Sequence, residues 1–155
     1  MPLEIERKYL VDKTVWQKTQ KSKGIYYRQG YLLTEAEKTI RVRATDTEGF
    51  ITIKGKSVGA TRLEYEYSIP REEAMELLDN FAVSNIIKWR FKVEFEGKTW
   101  EIDEFLGENE GLIVAEIELN SEDEMFEIPH WIAEEVTGDA RYFNSALSIL
   151  PFKKW

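Results

Sequence analysis

Glu4, Glu6 and Lys8 stand at alternate positions in the run Glu4-Ile5-Glu6-Arg7-Lys8-Tyr9-Leu10-Val11. A strand sends every second side chain to the same face, so two carboxylates and an ammonium share one face there. Oxygen ligands for a hard cation then lie beside a compact positive charge for an anion. The pattern recurs. Arg41 and Arg43 flank Val42, Thr52 and Lys54 alternate with Ile51 and Ile53, and Glu64, Glu66 and Ser68 alternate with Tyr65, Tyr67 and Ile69. Lys88, Arg90, Lys92, Glu94 and Glu96 interleave with Trp89, Phe91, Val93 and Phe95. Glu101 and Asp103 flank Ile102, and Glu116 and Glu118 flank Ile117. Some of these stretches are acidic and others basic, and all have the period of two that marks a two-faced strand.

Two architectures satisfy such alternation. In one, an antiparallel sheet packs its oily face on a core and leaves its charged face in water. In the other, the sheet closes into a barrel with the charged face inside, and helices must cover the apolar outside. Enclosed charges are costly unless they pair or bind something. Acidic pairs would hold a divalent metal and clustered lysines and arginines a polyanion, so a deep charged tunnel suits a metal-bound polyphosphate.

The elements that position these residues are strands, with a few helical interruptions. Strands are predicted over 3–11, 25–34, 38–45, 49–55, 62–69, 86–96, 99–105 and 112–119. Asp46-Thr47-Glu48-Gly49 and Glu96-Gly97-Lys98 read as hairpin turns. A short helix is predicted over 13–21. Another starts at Pro70, with Glu72 and Glu73 in its first turn and Ala74, Leu77, Leu78 and Phe81 at helical spacing for covering the sheet. Residues 129–136 and 140–149 are also expected to be helical. Tyr27, Gln29 and Tyr31 share a face, but the second strand carries no charge marker to say which face is inward.

At 155 residues the chain reads as a single domain, 1–155. A net charge of −8 disfavours nonspecific nucleic-acid binding, and the absence of cysteine excludes disulfides and thiolate metal sites. No apolar run reaches transmembrane length and no signal peptide precedes the first strand, so a cytoplasmic protein is expected, with no membrane or nucleic-acid partner. His130 is the single histidine and has no partner motif, which argues against histidine-based nucleophilic schemes. Trp16, Trp89, Trp100, Trp131 and Trp155 read as packing residues.

The Glu4-Ile5-Glu6-Arg7-Lys8 run resembles the ExExK signature of the CYTH superfamily, the triphosphate tunnel metalloenzymes. Gln29-Gly30-Tyr31-Leu32, Arg41-Val42-Arg43, Lys54, Glu64-Tyr65-Glu66, Lys88-Trp89-Arg90, Glu101-Ile102-Asp103 and Glu116-Ile117-Glu118 follow in the family's order. Val136-Thr137-Gly138-Asp139-Ala140-Arg141-Tyr142-Phe143-Asn144 is similar to its closing segment, and the ending looks like that of the short stand-alone phosphohydrolases. The resemblance implies a mainly β fold, an eight-stranded antiparallel β-barrel forming a charged tunnel with a few covering helices. It also implies a small-molecule triphosphate substrate and a divalent cation, Mg²⁺ or Mn²⁺.

On that resemblance the metal would fall to Glu4, Glu6 and Glu118, supported by Glu116 and Asp103. Lys8, Arg41, Arg43, Lys54, Lys88 and Arg90 would clamp the phosphates, and Glu64 and Glu66 would orient the basic residues or a water. The expected reaction is attack of water on a terminal phosphoryl group, with Glu4, Glu6, Lys8, Glu64 and Glu66 as its catalytic residues. Inorganic tripolyphosphate is the expected substrate. Nucleoside triphosphate hydrolysis, class IV-type adenylyl cyclisation and non-enzymatic polyphosphate binding are the alternatives. The assembly would be a monomer or a homodimer.

Overall fold

The computed structural model of the chain describes residues 2–155. Its strands are β1 (Leu3–Val11), β2 (Ile25–Thr34), β3 (Lys38–Ala44), β4 (Gly49–Gly55), β5 (Thr61–Ile69), β6 (Ser84–Phe95), β7 (Lys98–Phe105), β8 (Ile113–Glu118) and β9 (Ile132–Glu135). The helices are α1 (Lys13–Lys18), α2 (Arg71–Phe81) and α3 (Asn144–Leu147). The sheet runs β5-β4-β3-β2-β6-β7-β8-β1 and closes through pairing of β1 with β5, giving an eight-stranded antiparallel barrel. Closure is short, running from the Leu3–Leu63 pair to the Ile5–Thr61 pair, and it turns a two-faced sheet into an inside and an outside.

Hairpin chemistry sets the register. Glu96 and Gly97 both adopt positive φ, +47° and +77°, between β6 and β7. That two-residue turn has the twist of the strands it joins. Between β3 and β4 the Thr45 hydroxyl accepts from Thr47 N and Glu48 N, at 3.3 and 3.0 Å.

The apolar side chains of the alternation point outward, and helices cover much of that surface. Ala74 and Leu78 of α2 are buried against Val42 and Ala44. Gly49 lets the helix come close, since a Cβ there would lie 2.8 Å from the Ala74 Cβ. Arg71 ties the helix down by donating from Nε to the Thr45 carbonyl at 2.7 Å. Over β1, β7 and β8, Trp16 of α1 and Trp131 pack on Trp100, Ile102 and Ile117. Their rings meet edge-on, with Trp16–Trp131 centroids at 5.1 Å and Trp100–Trp131 at 5.9 Å. Covering is incomplete over β4 and β5, where Ile53, Tyr65 and Tyr67 remain exposed.

Three expectations change. Residues 129–136 are not a helix: Ile132–Glu135 form β9, paired with β1 through Tyr9–Glu135 and Val11–Ile132. The last residues of β1 run past the end of its pairing with β5, and β9 satisfies the backbone groups left there. Residues 140–149 form a broken path, a 3₁₀ turn at Ala140–Tyr142 and then the single turn of α3, with Phe143 extended between them. The helix expected over 13–21 stops at Lys18, because Thr19 turns extended.

The interior is not charged throughout. Along β6, β7 and β8 the inward face changes from Lys88, Asp103 and Glu116 to Ile86, Phe105 and Val114. These three pack with Tyr142 and Leu147 of the C-terminal segment. Asn109 fastens that segment, donating to the Leu147 carbonyl and accepting from Phe152 N. One end of the barrel is therefore filled by an apolar core, and the charged cavity occupies the rest. Among the described residues no helix is long and apolar enough to cross a membrane.

Candidate functional site

The barrel encloses a cavity of about 700 Å³. Glu4, Glu6, Lys8, Arg41, Arg43, Lys54, Glu64, Glu66, Lys88, Arg90, Glu116 and Glu118 all line it, so six strands converge on one space. Tyr27 and Tyr31 line it as well, which fixes the inward face of β2. Asp103 is the one candidate outside the lining. It lies just behind the wall, 1% exposed, with both carboxylate oxygens taken up: Lys88 Nζ donates to one at 2.7 Å, and Arg90 donates to both at 2.7 and 2.9 Å. His130 lies outside the cavity lining on an exposed loop.

Strand register gathers the acids. Glu6 faces Glu118 across β1 and β8, Lys8 faces Glu116, and Glu116 faces Glu101 across β8 and β7. Like charges directly opposite each other repel, and the carboxyls respond by pairing. Glu4 is pushed up to about 7 by burial and by a hydrogen bond with Glu64, against the pull of Lys54. Glu6 is held well above the usual carboxylate range by burial and by the charges of Glu116 and Glu4. Glu118 is raised by burial and by Glu4. Burial acts upward on Glu116 too, but Lys8 and Arg90 outweigh it and hold this carboxylate well below its ordinary value. Lys54 stands between Glu4 and Glu64, at 3.3 and 3.2 Å. Among the described residues no three acidic or histidine side chains form a ready-made metal cluster. The acids lean on one another in pairs instead.

The basic wall is less well matched. Arg41 is nearly buried, donates to the Thr52 hydroxyl at 3.2 Å and has its nearest carboxylate, Glu66, at 3.7 Å. Its buried Nε has no hydrogen-bond partner. Arg43 has no carboxylate within 4.0 Å among the described residues. Its Nε donates to Gln29 Oε1 at 3.2 Å, and its guanidinium lies over the Tyr27 ring at 4.8 Å. Burial and repulsion from Arg41 and Arg90 push Arg43 down to about 10. Lys88 is pushed down to about 7 by burial, against the pull of Asp103.

Several cavity residues are not among the expected site residues. Arg62 lies in phase with Glu64 and Glu66, at the start of β5, 3.9 Å from Glu4. Extending that alternation by one step finds it. Glu101 is likewise in phase with Asp103, and reaches Arg90 at 3.4 Å. Asn144 carries no such signal. It comes from the irregular C-terminal segment, where its Oδ1 accepts from Lys88 Nζ at 3.0 Å and Gln29 Nε2 at 3.3 Å. The same segment meets Lys8, which donates to the Tyr142 carbonyl at 3.1 Å and lies 5.5 Å over the Phe143 ring.

The CYTH domain family matches residues 2–146 of the chain. An inorganic triphosphatase of Acetivibrio thermocellus is 49% identical over all of this chain and 99% of its own length. An inorganic triphosphatase of Nitrosomonas europaea is 35% identical, over 94% of this chain and 97% of its own. A crystal structure of an inorganic triphosphatase superposes with a TM-score of 0.65 at 34% identity, covering 96% of this chain and 95% of the other.

Proposed function

This chain belongs to the CYTH domain family, and on that premise we propose that it hydrolyses inorganic tripolyphosphate to pyrophosphate and orthophosphate with the help of a divalent cation. The observation that carries the proposal is the pair of under-neutralised guanidiniums, Arg41 and Arg43, beside Lys54, Lys88 and Arg90, which have carboxylate partners at 2.7 to 3.2 Å. A buried cation without a counter-ion is expensive, and a polyanion in the cavity supplies the missing charge. The full-length identity to two inorganic triphosphatases supports the same reading.

Water would attack the terminal phosphorus, the bond to the bridging oxygen would break, and pyrophosphate would leave. Arg41 and Arg43 would each offer a planar fork to phosphate oxygens, and Lys8, Lys54 and Lys88 would add compact charge. Such contacts lower the barrier where they strengthen as charge shifts to the leaving group. Asp103 would act from behind, holding Lys88 and Arg90 in place rather than binding a metal, because none of its oxygens is free. Glu64 would orient Lys54, and Glu66 would orient Arg41 through Thr52.

The donor set fits a hard divalent ion. Glu4, Glu6 and Glu118 supply oxygens from adjacent strands, and Mg²⁺ or Mn²⁺ takes carboxylate, phosphate and water together. Such an ion, when bound, would offset the repulsion among these carboxylates and polarise the phosphoryl group.

Two of the aromatic rings that line the cavity, Tyr27 and Phe143, are engaged by cations, which favours an inorganic substrate over a nucleotide. Arg43 and Arg90 cover Tyr27, at 4.8 and 5.1 Å, and Lys8 and Arg62 cover Phe143. Rings engaged in this way do not offer a face to a base. A phosphate-release panel tests the proposal at matched free Mg²⁺ or Mn²⁺. The expected order of kcat/KM is tripolyphosphate, ATP, pyrophosphate, with no cyclic AMP formed. Chelator, Glu4→Gln and Glu6→Gln should each abolish turnover. Full activity in excess chelator would remove the metal from the proposal. A preference for one nucleotide, or stoichiometric cyclic AMP, would transfer the chain to the nucleotide-specific alternatives.

A further inference from the structure

Beyond the walls that hold the proposed substrate, β6 continues its inward cations by one more step. Lys88, Arg90 and Lys92 share a face, spaced by about 6.6 Å per pair of residues. Lys88 and Arg90 meet Asp103, and Arg90 also meets Glu101 at 3.4 Å. Lys92 has no carboxylate within 4.0 Å among the described residues, although Glu101 faces it in register.

The chain that leads into β2 brings a second lysine to the same place. Ile25 pairs with Arg90 at the end of the ladder, and Lys23, two residues before it, enters β2 beside the segment that carries Lys92. Ser22 holds the two segments together by donating to the Lys92 carbonyl at 3.2 Å. Both lysine side chains line the cavity, and Lys23 likewise has no carboxylate within 4.0 Å among the described residues. Two ammoniums on neighbouring segments of one cavity wall repel. Asp46 and Glu48 line this same end from the β3–β4 hairpin without neutralising either lysine. The pair lies at the end of the barrel away from the apolar core formed with Tyr142 and Leu147.

We propose that Lys23 and Lys92 form an outer anion site that captures the polyphosphate at the rim and hands it inward to Arg90, Arg43 and Arg41. The inference rests on the polyanion reading of the cavity. It answers a problem the composition poses: a chain of net charge −8 must admit a substrate that is itself strongly negative. A local basic rim offsets that repulsion, and its effect lies in association rather than in the bond-breaking step.

The test compares the Lys23→Ala/Lys92→Ala double variant, and a Lys92→Gln variant, with the parent and with Lys153→Ala. Lys153 is a surface lysine, 3.6 Å from Glu110, and lies outside the cavity lining. Inorganic tripolyphosphate is titrated calorimetrically without divalent cation, where the proposed hydrolysis does not run, and kcat and KM are measured with it. The double variant should lose about tenfold in affinity and in kcat/KM at low salt with kcat within about twofold, and the gap should close at high ionic strength. Lys92→Gln should show a smaller loss of the same kind. Tripolyphosphate affinity equal to that of Lys153→Ala at low salt would overturn the rim site, as would a loss that falls on kcat or persists in high salt. A parent chain that binds tripolyphosphate without hydrolysing it would defeat the proposed activity, and the affinity comparison would still decide the rim site.

Discussion

Two walls of the same cavity treat their cations in opposite ways. On β6 and β7, Lys88 and Arg90 converge on Asp103 through three hydrogen bonds of 2.7 to 2.9 Å. On β3, Arg41 and Arg43 have a hydroxyl, an amide, an aromatic ring and a distant carboxylate. Register explains the difference. Arg90 faces Asp103 across the ladder, whereas Arg41 faces Thr52 and Arg43 faces Gln29 and Phe50. The first wall is largely neutralised by the protein itself, and Asp103 fixes where Lys88 and Arg90 meet the cavity. The second is left short of negative charge, and a ligand can supply it. Net charge on a wall, rather than the number of basic residues in it, marks where an anion belongs.

The largest effect should come from breaking the satisfied wall. Asp103→Asn leaves Lys88 and Arg90 buried without their counter-ion. Removing one partner of such a buried group costs about 3–5 kcal/mol, and for a domain of this size that lowers Tm by roughly 10 °C. A thermal melt checks it. A loss of under 1 °C with activity intact would show that the pairing contributes nothing to the fold.

The other wall should respond in the other currency. Arg43→Ala should lower kcat/KM for tripolyphosphate by roughly 100-fold, the equivalent of about 3 kcal/mol for lost charge-assisted hydrogen bonds. Its Tm should hold or rise, because the substitution removes a guanidinium repelled by Arg41 and Arg90. Arg43→Lys should restore only part of the activity, since an ammonium cannot fork two oxygens. Destabilisation comparable to Asp103→Asn would erase the distinction between the walls.

The smallest effect belongs to an ion pair outside the cavity, Arg7–Glu135, which shows how little such a pair does in water. Arg7 donates to both Glu135 oxygens, at 2.8 and 2.7 Å, and holds the carboxyl below its ordinary value. Both side chains are about a third exposed, so Glu135→Gln should cost under ~1 kcal/mol at pH 7. A carboxyl whose folded pKa is depressed stabilises above its unfolded value and loses that contribution as pH falls through the folded one. The parent and Glu135→Gln should therefore differ at pH 7 and converge in acid below pH 4.5. Denaturant titrations at both pH values check this, and a gap that widens in acid would reverse the sign.

The strands and the sharing of one face by the ionisable groups were legible in the sequence, because period-two alternation depends only on backbone geometry. The same alternation contains Arg62, Lys92 and Glu101, which the charge markers alone did not promote to the site. Tyr27 and Tyr31 could not be oriented, since β2 is apolar or aromatic on both faces near its start and only pairing with β3 and β6 decides the inside. The irregular C-terminal path could not be read either. Helical spacing over 140–149 competes there with the demands of Lys88 and Gln29 on Asn144, and those partners are more than 50 residues away in sequence.

By itself, then, the sequence determined which residues share a face, how many strands the barrel has, and the family's ordered motifs. Closure of the barrel decided the rest, because pairing β1 with β5 encloses the charged face and makes each charge answerable to its cross-strand neighbour. Asp103 and Glu116 both look like ligands on a strand, yet one is fully occupied behind the wall and the other lines the cavity. Arg90 and Arg43 are the same residue type at the same kind of position, and what separates them is the residue opposite: Asp103 for one, Gln29 and Phe50 for the other. Electrostatic energy depends on distance through space, which alternation along the chain does not encode.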